Sequence, residues 1–380
     1  MRRRNNTLAL TAVDLFAGGG GLTVGLRRAG FNVVGAVEIE KNAFATYKAN
    51  HPKVHGFKED IRRIKGKALL DLSPTGRIDL IAGCPPCQGF SSLTSKYPKP
   101  DPRNELIREM ARLIREIRPQ AVMMENVPGL AMKGKPLLDE FLEELASLGY
   151  VCECGVLQVA DYGTPQNRRR LVVLAGHSFA IKLPEPTHSR NCANGLLPWR
   201  TTGEVIQNMP KATVLAEANA KGGPQCFDWH VVRSLSSRNV GRLRQAKPGK
   251  PWRSIPKRLR PQCHQDKEAG FSNVYGRMRW DTICPTITGG CTTLSKGRFG
   301  HPEQDRTISV REAALLQSFP ADYVFDTPFM EYACNIVGNA LPCDFAEVLA
   351  CQCAEALKAN AGRETKQPNG RRDRGSSRTK

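Results

Sequence analysis

Thr11-Ala-Val-Asp-Leu-Phe-Ala-Gly-Gly-Gly-Gly-Leu-Thr-Val-Gly-Leu-Arg-Arg28 places an apolar run, a glycine turn and the start of an amphipathic segment in direct succession. Residues 11–16 have the content of a buried strand, the four glycines at 18–21 make a turn, and residues 22–28 open a helix. Strand, glycine turn and helix in that order form the first βα unit of an α/β domain. Glycines in such a turn let a ligand lie against the backbone at the helix N-terminus.

Outward from that unit the alternation continues. Residues 33–38 predict a strand, 42–50 a helix, and 78–83 a strand ending at Pro85 and Pro86. Residues 105–117 carry Leu106, Met110, Leu113, Ile114 and Ile117 on one helical face. A strand at 121–124, a helix at 136–148 and a buried strand at 171–174 complete a doubly wound α/β domain with a mostly parallel sheet. After Leu183 the texture turns to Pro, Asn, Arg and Gly, which predicts a smaller, loop-rich second domain. Helical pattern returns at 310–317 and 344–357, and no internal repeat is evident. We therefore expect one domain from 8–183 plus 328–357, a second over 184–327, and a basic, disordered tail over 360–380.

A chain of 380 residues has room for two domains, and 40% hydrophobic with 24% charged residues excludes both disorder throughout and fibrous classes. The formal charge is +20, more than an enzyme of small neutral substrates requires, and it points to a polyanionic partner. The excess is regional: residues 183–274 hold fifteen basic against six acidic residues, and 228–262 hold ten against one. Thirteen cysteines without framework spacing suggest reduced thiols inside a cell. Arg2 to Arg4 followed by Leu8 superficially suggests a signal peptide, but Asp14 and the glycines interrupt the apolar stretch too early. No apolar run reaches membrane-spanning length, so the expectation is a soluble, cytoplasmic protein with no membrane association.

The glycine turn lacks the spacing of a dinucleotide fingerprint, because Thr23 and Val24 stand three residues beyond Gly20 and Gly21. Glu38, at the end of the second strand, suits ribose hydroxyls, so adenosine without a pyrophosphate becomes plausible. The strand at 78–83 leads into Gly83-Cys-Pro-Pro-Cys-Gln-Gly-Phe-Ser91, where two rigid prolines aim Cys87 at the crevice as a nucleophile. A zinc half-site or redox dithiol is the competing reading. The pairs Cys152/Cys154 and Cys351/Cys353 are one residue too tight to supply a zinc ribbon's second half. Glu125, in Glu125-Asn-Val-Pro-Gly129, ends another apolar strand, where a carboxyl pushed upward could donate a proton; a simple arginine pair is the alternative. Gln166-Asn-Arg-Arg-Arg170 is either a solvated face or a clamp for a phosphate or base carbonyl.

In this order, Asp14 to Gly21, Pro-Pro-Cys87, Glu125-Asn-Val and Gln166-x-Arg168-x-Arg170 resemble the DNA (cytosine-5) methyltransferases. Ser309-Val-Arg-Glu-Ala-Ala-Leu-Leu-Gln-Ser-Phe-Pro320 resembles that family's helix supporting its recognition domain, and Gly338-Asn-Ala-Leu-Pro342 its final cofactor-side motif. The resemblance spans residues 13–357. It departs in the fourth consecutive glycine, in the extra Arg169, and in Cys84, which clouds which thiol a chemical label would mark.

The resemblance implies a methyltransferase fold using S-adenosylmethionine, with Cys87 attacking carbon 6 of a flipped-out cytosine, Glu125 donating to ring nitrogen 3, and Arg168 and Arg170 holding the cytosine carbonyl and the thiol region. It implies that Phe16 packs on the adenine, Gly18 and Gly20 lie in the cofactor loop, Glu38 binds ribose, Asp60 meets the adenine amino group with Glu59 as rival, Pro86 lies between cofactor and nucleophile, and Asn339 and Leu341 close the methionine side. No metal is implied. The basic segment falls where the family has its target recognition domain. Gln88, Ser91, Arg253 and Arg258 become DNA-binding candidates; Trp229 and Trp252 are also considered, with core packing the expected fate of both. The expected partner is double-stranded DNA, with a cognate restriction endonuclease acting on the same site, and the chain is expected to be monomeric. Alternatives are an RNA cytosine-5 methyltransferase, a nicotinamide oxidoreductase, motivated by the glycine turn and Glu38, and a catalytically dead DNA-binding relative.

Overall fold

The computed structural model describes residues 9–86, 90, 101–265 and 273–364. Its centre is a seven-stranded sheet of order β3-β2-β1-β4-β5-β7-β6. The strands are β1 (Thr11–Leu15), β2 (Asn32–Val37), β3 (His55–Phe57), β4 (Leu80–Gly83), β5 (Ala121–Asn126), β6 (Tyr150–Gln158) and β7 (Arg169–His177). All neighbours pair in parallel except β7, which runs antiparallel to both β5 and β6. The helices over the sheet are α1 (Gly21–Arg28), α2 (Lys41–Asn50), α3 (Gly66–Leu70), α4 (Leu106–Ile117) and α5 (Lys135–Ser147).

Period-two alternation divides the strands between two cores. Ala12, Leu80, Ala82, Ala121, Met123, Val172 and Leu174 face one, and Val13, Ile81, Val122, Met124, Leu171 and Val173 face the other. α4 and α5 cover the second face with Ile107, Met110, Ile114, Leu138, Phe141 and Leu145. The first face is closed by α1 and by the last helix of the chain, α11 (Cys343–Glu364), whose Phe345, Leu349, Cys353 and Leu357 form a helical stripe.

Between the sheet and α11 come short elements: α6 (Thr202–Ile206), α7 (Leu215–Ala220), α8 (Ser237–Gln245), α9 (Val310–Leu316) and α10 (Met330–Asn339). A third core joins Ile206, Trp229, Phe299, Phe319, Phe325 and Val337 to Val24 of α1 and Ala43 of α2. A fourth, small core forms around Trp252, Ile255 and Val274. Both tryptophans expected in cores are there, at 1% and 0% exposure for Trp229 and Trp252.

Several elements differ from expectation. β7 is nine residues long rather than four, and the strand β6 beside it was not anticipated. β6 lies at the sheet edge, and Cys-Glu-Cys-Gly interrupts its apolar alternation. α10 also went unread, although Met330, Ala333, Cys334 and Val337 recur at helical spacing and are buried. The expected disordered tail begins too early, since α11 remains helical through residue 364. Among the described residues no helix is long and apolar enough to cross a membrane.

Candidate active site

The sheet order reverses at β1, whose neighbours β2 and β4 lead the chain to opposite edges. Parallel α/β sheets bind ligands in the crevice at such a reversal, beyond the carboxyl ends of the strands. The predicted residues at the ends of β1, β2, β4 and β5 share that edge.

Beyond β1, Phe16 adopts a left-handed backbone, φ 60°. A bulky side chain rarely does so, and such strain tends to collect at functional sites. The loop is held to β2: Ala17 N donates to Val37 O at 3.0 Å, and Gly18 N donates to Glu38 Oε2 at 2.8 Å. Glu38 Oε1 accepts from Glu40 N at 2.7 Å. Burial pushes the Glu38 carboxyl upward against the pull of these donors. Ile39, beside it, is 63% exposed at the same edge, an apolar surface that the sequence reading missed; its position directly after Glu38 was the available signal.

Beneath the loop, Asp14 is fully buried. Its Oδ2 accepts from Thr23 Oγ1 at 2.6 Å while Oδ1 has no partner. Burial raises its pKa to about 7. Leu341 is buried, and its carbonyl lies against Gly21, where an added Cβ would come within 3.0 Å; Asn339, at the end of α10, is exposed. Asp60 caps a short 3-10 turn and receives a fork from Arg62, Nε to Oδ1 at 3.0 Å and Nη2 to Oδ2 at 2.7 Å. That bond holds its carboxyl below the usual range. Any adenine amino group would share Asp60 with Arg62. Glu59 accepts from Asp60 N at 2.8 Å.

β4 is followed by Cys84, Pro85 and the half-buried Pro86. Asn126 Nδ2 donates to Pro85 O at 3.0 Å, tying this turn to the end of β5. Burial and the facing Glu125 carboxyl push the Cys84 thiol far above its ordinary value, so it stays protonated and is a poor nucleophile. Cys87, Gln88 and Ser91 lie outside the described residues. The described cysteines are free thiols, and no group of metal-ligating side chains gathers among the described residues.

Glu125, at 8% side-chain exposure, meets Arg170 at 13%, with Nε 2.5 Å from Oε1. The other members of the Gln166-x-Arg168-x-Arg170 pattern turn elsewhere. Gln166 is fully buried; its Nε2 donates to Gln317 Oε1 at 2.7 Å, and its Oε1 accepts from Ile287 N at 2.9 Å. Arg168, 2% exposed, donates through Nη1 to Ile287 O at 2.9 Å and through Nη2 to Gly338 O at 3.2 Å and Ala340 O at 3.0 Å. Three carbonyls thus occupy both terminal nitrogens of the guanidinium expected to serve the base, while its buried Nε has no partner among the described residues. The pattern joins the sheet edge to the C-terminal ends of α9 and α10, and of its three members only Arg170 faces the strand-end carboxylate.

The family model of the C-5 cytosine-specific DNA methylases matches residues 10–355. The chain belongs to that family. Among its relatives, the type II methylase M.HgiDII of Herpetosiphon aurantiacus is 37% identical over 345 residues, covering 89% of this chain and 93% of that one. The type II methyltransferase M1.HphI of Haemophilus parahaemolyticus is 33% identical, covering 90% and 86%. In fold, the chain is similar to a putative DNA modification methyltransferase encoded within an E. coli prophage (TM-score 0.67, 23% identity, 92% of this chain and 100% of that one). It is also similar to the S. pombe Dnmt2 methyltransferase (TM-score 0.61, 17% identity, 93% and 99%).

Membership in the C-5 cytosine-specific DNA methylases replaces the nicotinamide oxidoreductase alternative and makes the chain a DNA (cytosine-5) methyltransferase. Of this methylase's DNA-binding candidates, Arg253 and Arg258 are exposed on consecutive 3-10 turns opened by Pro251 and Pro256. Arg253 lies 5.0 Å over the Trp252 ring.

Proposed function

We propose that this methylase moves a methyl group from S-adenosylmethionine to carbon 5 of a cytosine turned out of duplex DNA, with Cys87 as a transient covalent nucleophile. The Glu125–Arg170 pair carries this reading, since it stands at the end of β5, next to the strand that leads through Pro85 and Pro86 into Cys87.

The crevice fits the cofactor by the chemistry of its groups. A carboxylate at Glu38 suits ribose hydroxyls, apolar surface at Phe16 and Ile39 suits an adenine ring, and the space above Gly18 is open. Asp60 would accept from the adenine amino group, Gly20, Asn339 and Leu341 would bound the methionine side, and Pro86 would separate cofactor from nucleophile. When bound, S-adenosylmethionine supplies an electrophilic methyl group.

The Cys87 thiolate forms a bond to carbon 6, which pushes an electron pair into the ring, and Glu125 gives a proton to nitrogen 3. Carbon 5, now enamine-like, would take the methyl group as the donor leaves as S-adenosylhomocysteine, and nitrogen 3 would return its proton to Glu125; loss of the carbon 5 proton to water then sends back the electron pair that breaks the sulfur–carbon bond and frees Cys87. Arg170 orients Glu125 and is better placed than Arg168 to bond the cytosine carbonyl. Attack on carbon 6 comes from above the ring, a face that stacking covers in duplex DNA, so the target leaves the helix. Gln88 and Ser91, close after Cys87 in the chain, and the exposed Arg253 and Arg258 contact DNA; the basic stretch 228–262 neutralises phosphates.

We assign residues 8–183 with 328–357 to catalysis and 184–327 to target recognition. Because the relatives are named as type II methylases, we infer a restriction–modification setting in a bacterial cytoplasm. There the monomer protects the site that a cognate endonuclease cuts, and the two need not form a complex. The test is incubation with labelled S-adenosylmethionine and either duplex DNA or tRNA, together with trapping on 5-fluorocytosine DNA. Label in DNA, and an adduct lost in Cys87→Ala but kept in Cys84→Ala, are expected. Label confined to tRNA, or an adduct that survives Cys87→Ala, overturns the reading.

A further inference from the structure

The glycine loop is propped from beneath by a chain of hydrogen bonds to which the methyl-transfer chemistry assigns no part. Gly20 has φ 95°, and a Cβ there would fall 2.6 Å from both His51 Nε2 and Tyr323 Oη. Tyr323 Oη donates to Gly19 O at 2.5 Å and lies 3.2 Å from His51 Nε2, and Arg27 Nη1 lies 3.4 Å from His51 Nδ1. His51 and Tyr323 are each 3% exposed.

The direction of the chain follows from its ends. Arg27 can only donate, so His51 Nδ1 accepts. The single hydroxyl proton of Tyr323 goes to the Gly19 carbonyl, so His51 carries its proton on Nε2 and donates it to Tyr323 Oη. A second proton on His51 would face the Arg27 cation. Burial and Arg27 lower its pKa to about 4, which keeps the ring neutral and the chain intact near neutral pH.

Both supports are fixed from their far sides. His51 caps α2, with its N–H on Tyr47 O at 2.8 Å. Tyr323 packs between Phe319 and Phe325, at centroid distances of 4.8 and 5.7 Å, and its carbonyl accepts from Arg311 Nη2 at 2.9 Å. The pair Asn50–Val324 binds the two segments together, Nδ2 to O at 2.7 Å and N to Oδ1 at 2.9 Å. With left-handed dihedrals at Phe16, Gly18 and Gly20, the loop holds a sparsely populated shape, and bonds from outside it help to fix that shape.

We propose that Tyr323 is a positioning residue for the methyl-donor site: its bond to the Gly19 carbonyl, backed by His51, sets the loop in its cofactor-binding shape before the cofactor arrives. The proposal rests on the reading that this loop holds S-adenosylmethionine.

The experiment titrates S-adenosylhomocysteine into the full-length wild type, Tyr323→Phe, His51→Ala and His51→Gln, and measures separate KM values for S-adenosylmethionine and duplex DNA. Tyr323→Phe keeps the ring and its packing. It is expected to weaken S-adenosylhomocysteine about five- to tenfold, the scale of one lost buried hydrogen bond. The KM for S-adenosylmethionine should rise in step while the KM for DNA stays within about twofold. His51→Ala should behave alike, and His51→Gln, which retains a side-chain N–H donor, should recover most of the affinity. Wild-type affinity in Tyr323→Phe, or both KM values rising together with a fall in Tm, overturns the proposal. A wild type that binds no S-adenosylhomocysteine overturns the cofactor reading itself, and this proposal with it.

Discussion

Arg170 presents Nε to Glu125 Oε1 at 2.5 Å across adjoining strands of opposite direction, β7 and β5. The antiparallel insertion of β7 creates this pair, because it brings the start of one strand beside the end of the other. An arginine that enters a strand thereby meets a carboxylate that leaves one, at the rim where the cytosine would sit.

Glu125→Gln keeps the size of the side chain but removes its acid, so duplex methylation is expected to fall about 10²- to 10⁴-fold, the usual contribution of a positioned proton donor. Arg170→Lys keeps the charge but loses the planar fork and is expected to lower the rate as well. Incorporation of labelled methyl groups under single-turnover conditions measures both. Rates within threefold of wild type would remove Glu125 from the chemistry.

Arg168 gives the opposite expectation for a residue of the same short pattern. Its guanidinium satisfies the carbonyls of Ile287, Gly338 and Ala340 away from solvent. Arg168→Met strands those acceptors, and unfolding free energy is expected to drop by about 3 kcal/mol. Urea denaturation checks this. A fall in kcat at unchanged stability would return Arg168 to the role expected from sequence.

That divergence marks how far the sequence could be read. The first βα unit, the strand ends at Glu38 and Glu125 and the doubly wound order follow from local apolar pattern and turn chemistry. The division of labour within Gln166-x-Arg168-x-Arg170 does not. It depends on residues 287 and 338–340, more than a hundred positions away, which local pattern cannot register. The same holds for Tyr323, whose partner Gly19 is 304 residues distant. β6 is hard to read locally because Cys-Glu-Cys-Gly breaks the period-two alternation of its apolar residues at the sheet edge.

Gly25 sits inside α1, where alanine would gain about 1 kcal/mol of helix propensity. Its absent Cβ is what lets α11 approach, since an added one would lie 2.5 Å from both Ala346 Cβ and Glu347 N. Backbone cannot yield as a side-chain tip does, so overpacking at about 1–3 kcal/mol is expected to exceed the propensity gain. Gly25→Ala should lower Tm; a raised Tm would mean that the contact between the first and last helices is looser than described.

Asp14 and His51 pull stability in opposite directions with pH. The folded protein keeps the Asp14 proton up to about pH 7, whereas the unfolded chain releases it near 3.8, so this group makes stability fall as pH rises through that window. His51, and likewise His301, resist protonation until about pH 4 although the unfolded ring takes a proton below 6.5, so they make stability fall as pH drops through theirs. Asp14→Asn deletes the first contribution and leaves the second. Relative to wild type the variant should therefore gain steadily between pH 4 and pH 7.5, by about 2–4 kcal/mol in all at roughly 1.4 kcal/mol per pH unit. Urea midpoints at pH 4.5, 6.0 and 7.5 measure the trend. A difference from wild type that does not change with pH would mean that Asp14 is ionised in the fold, with a donor on the oxygen that has none here.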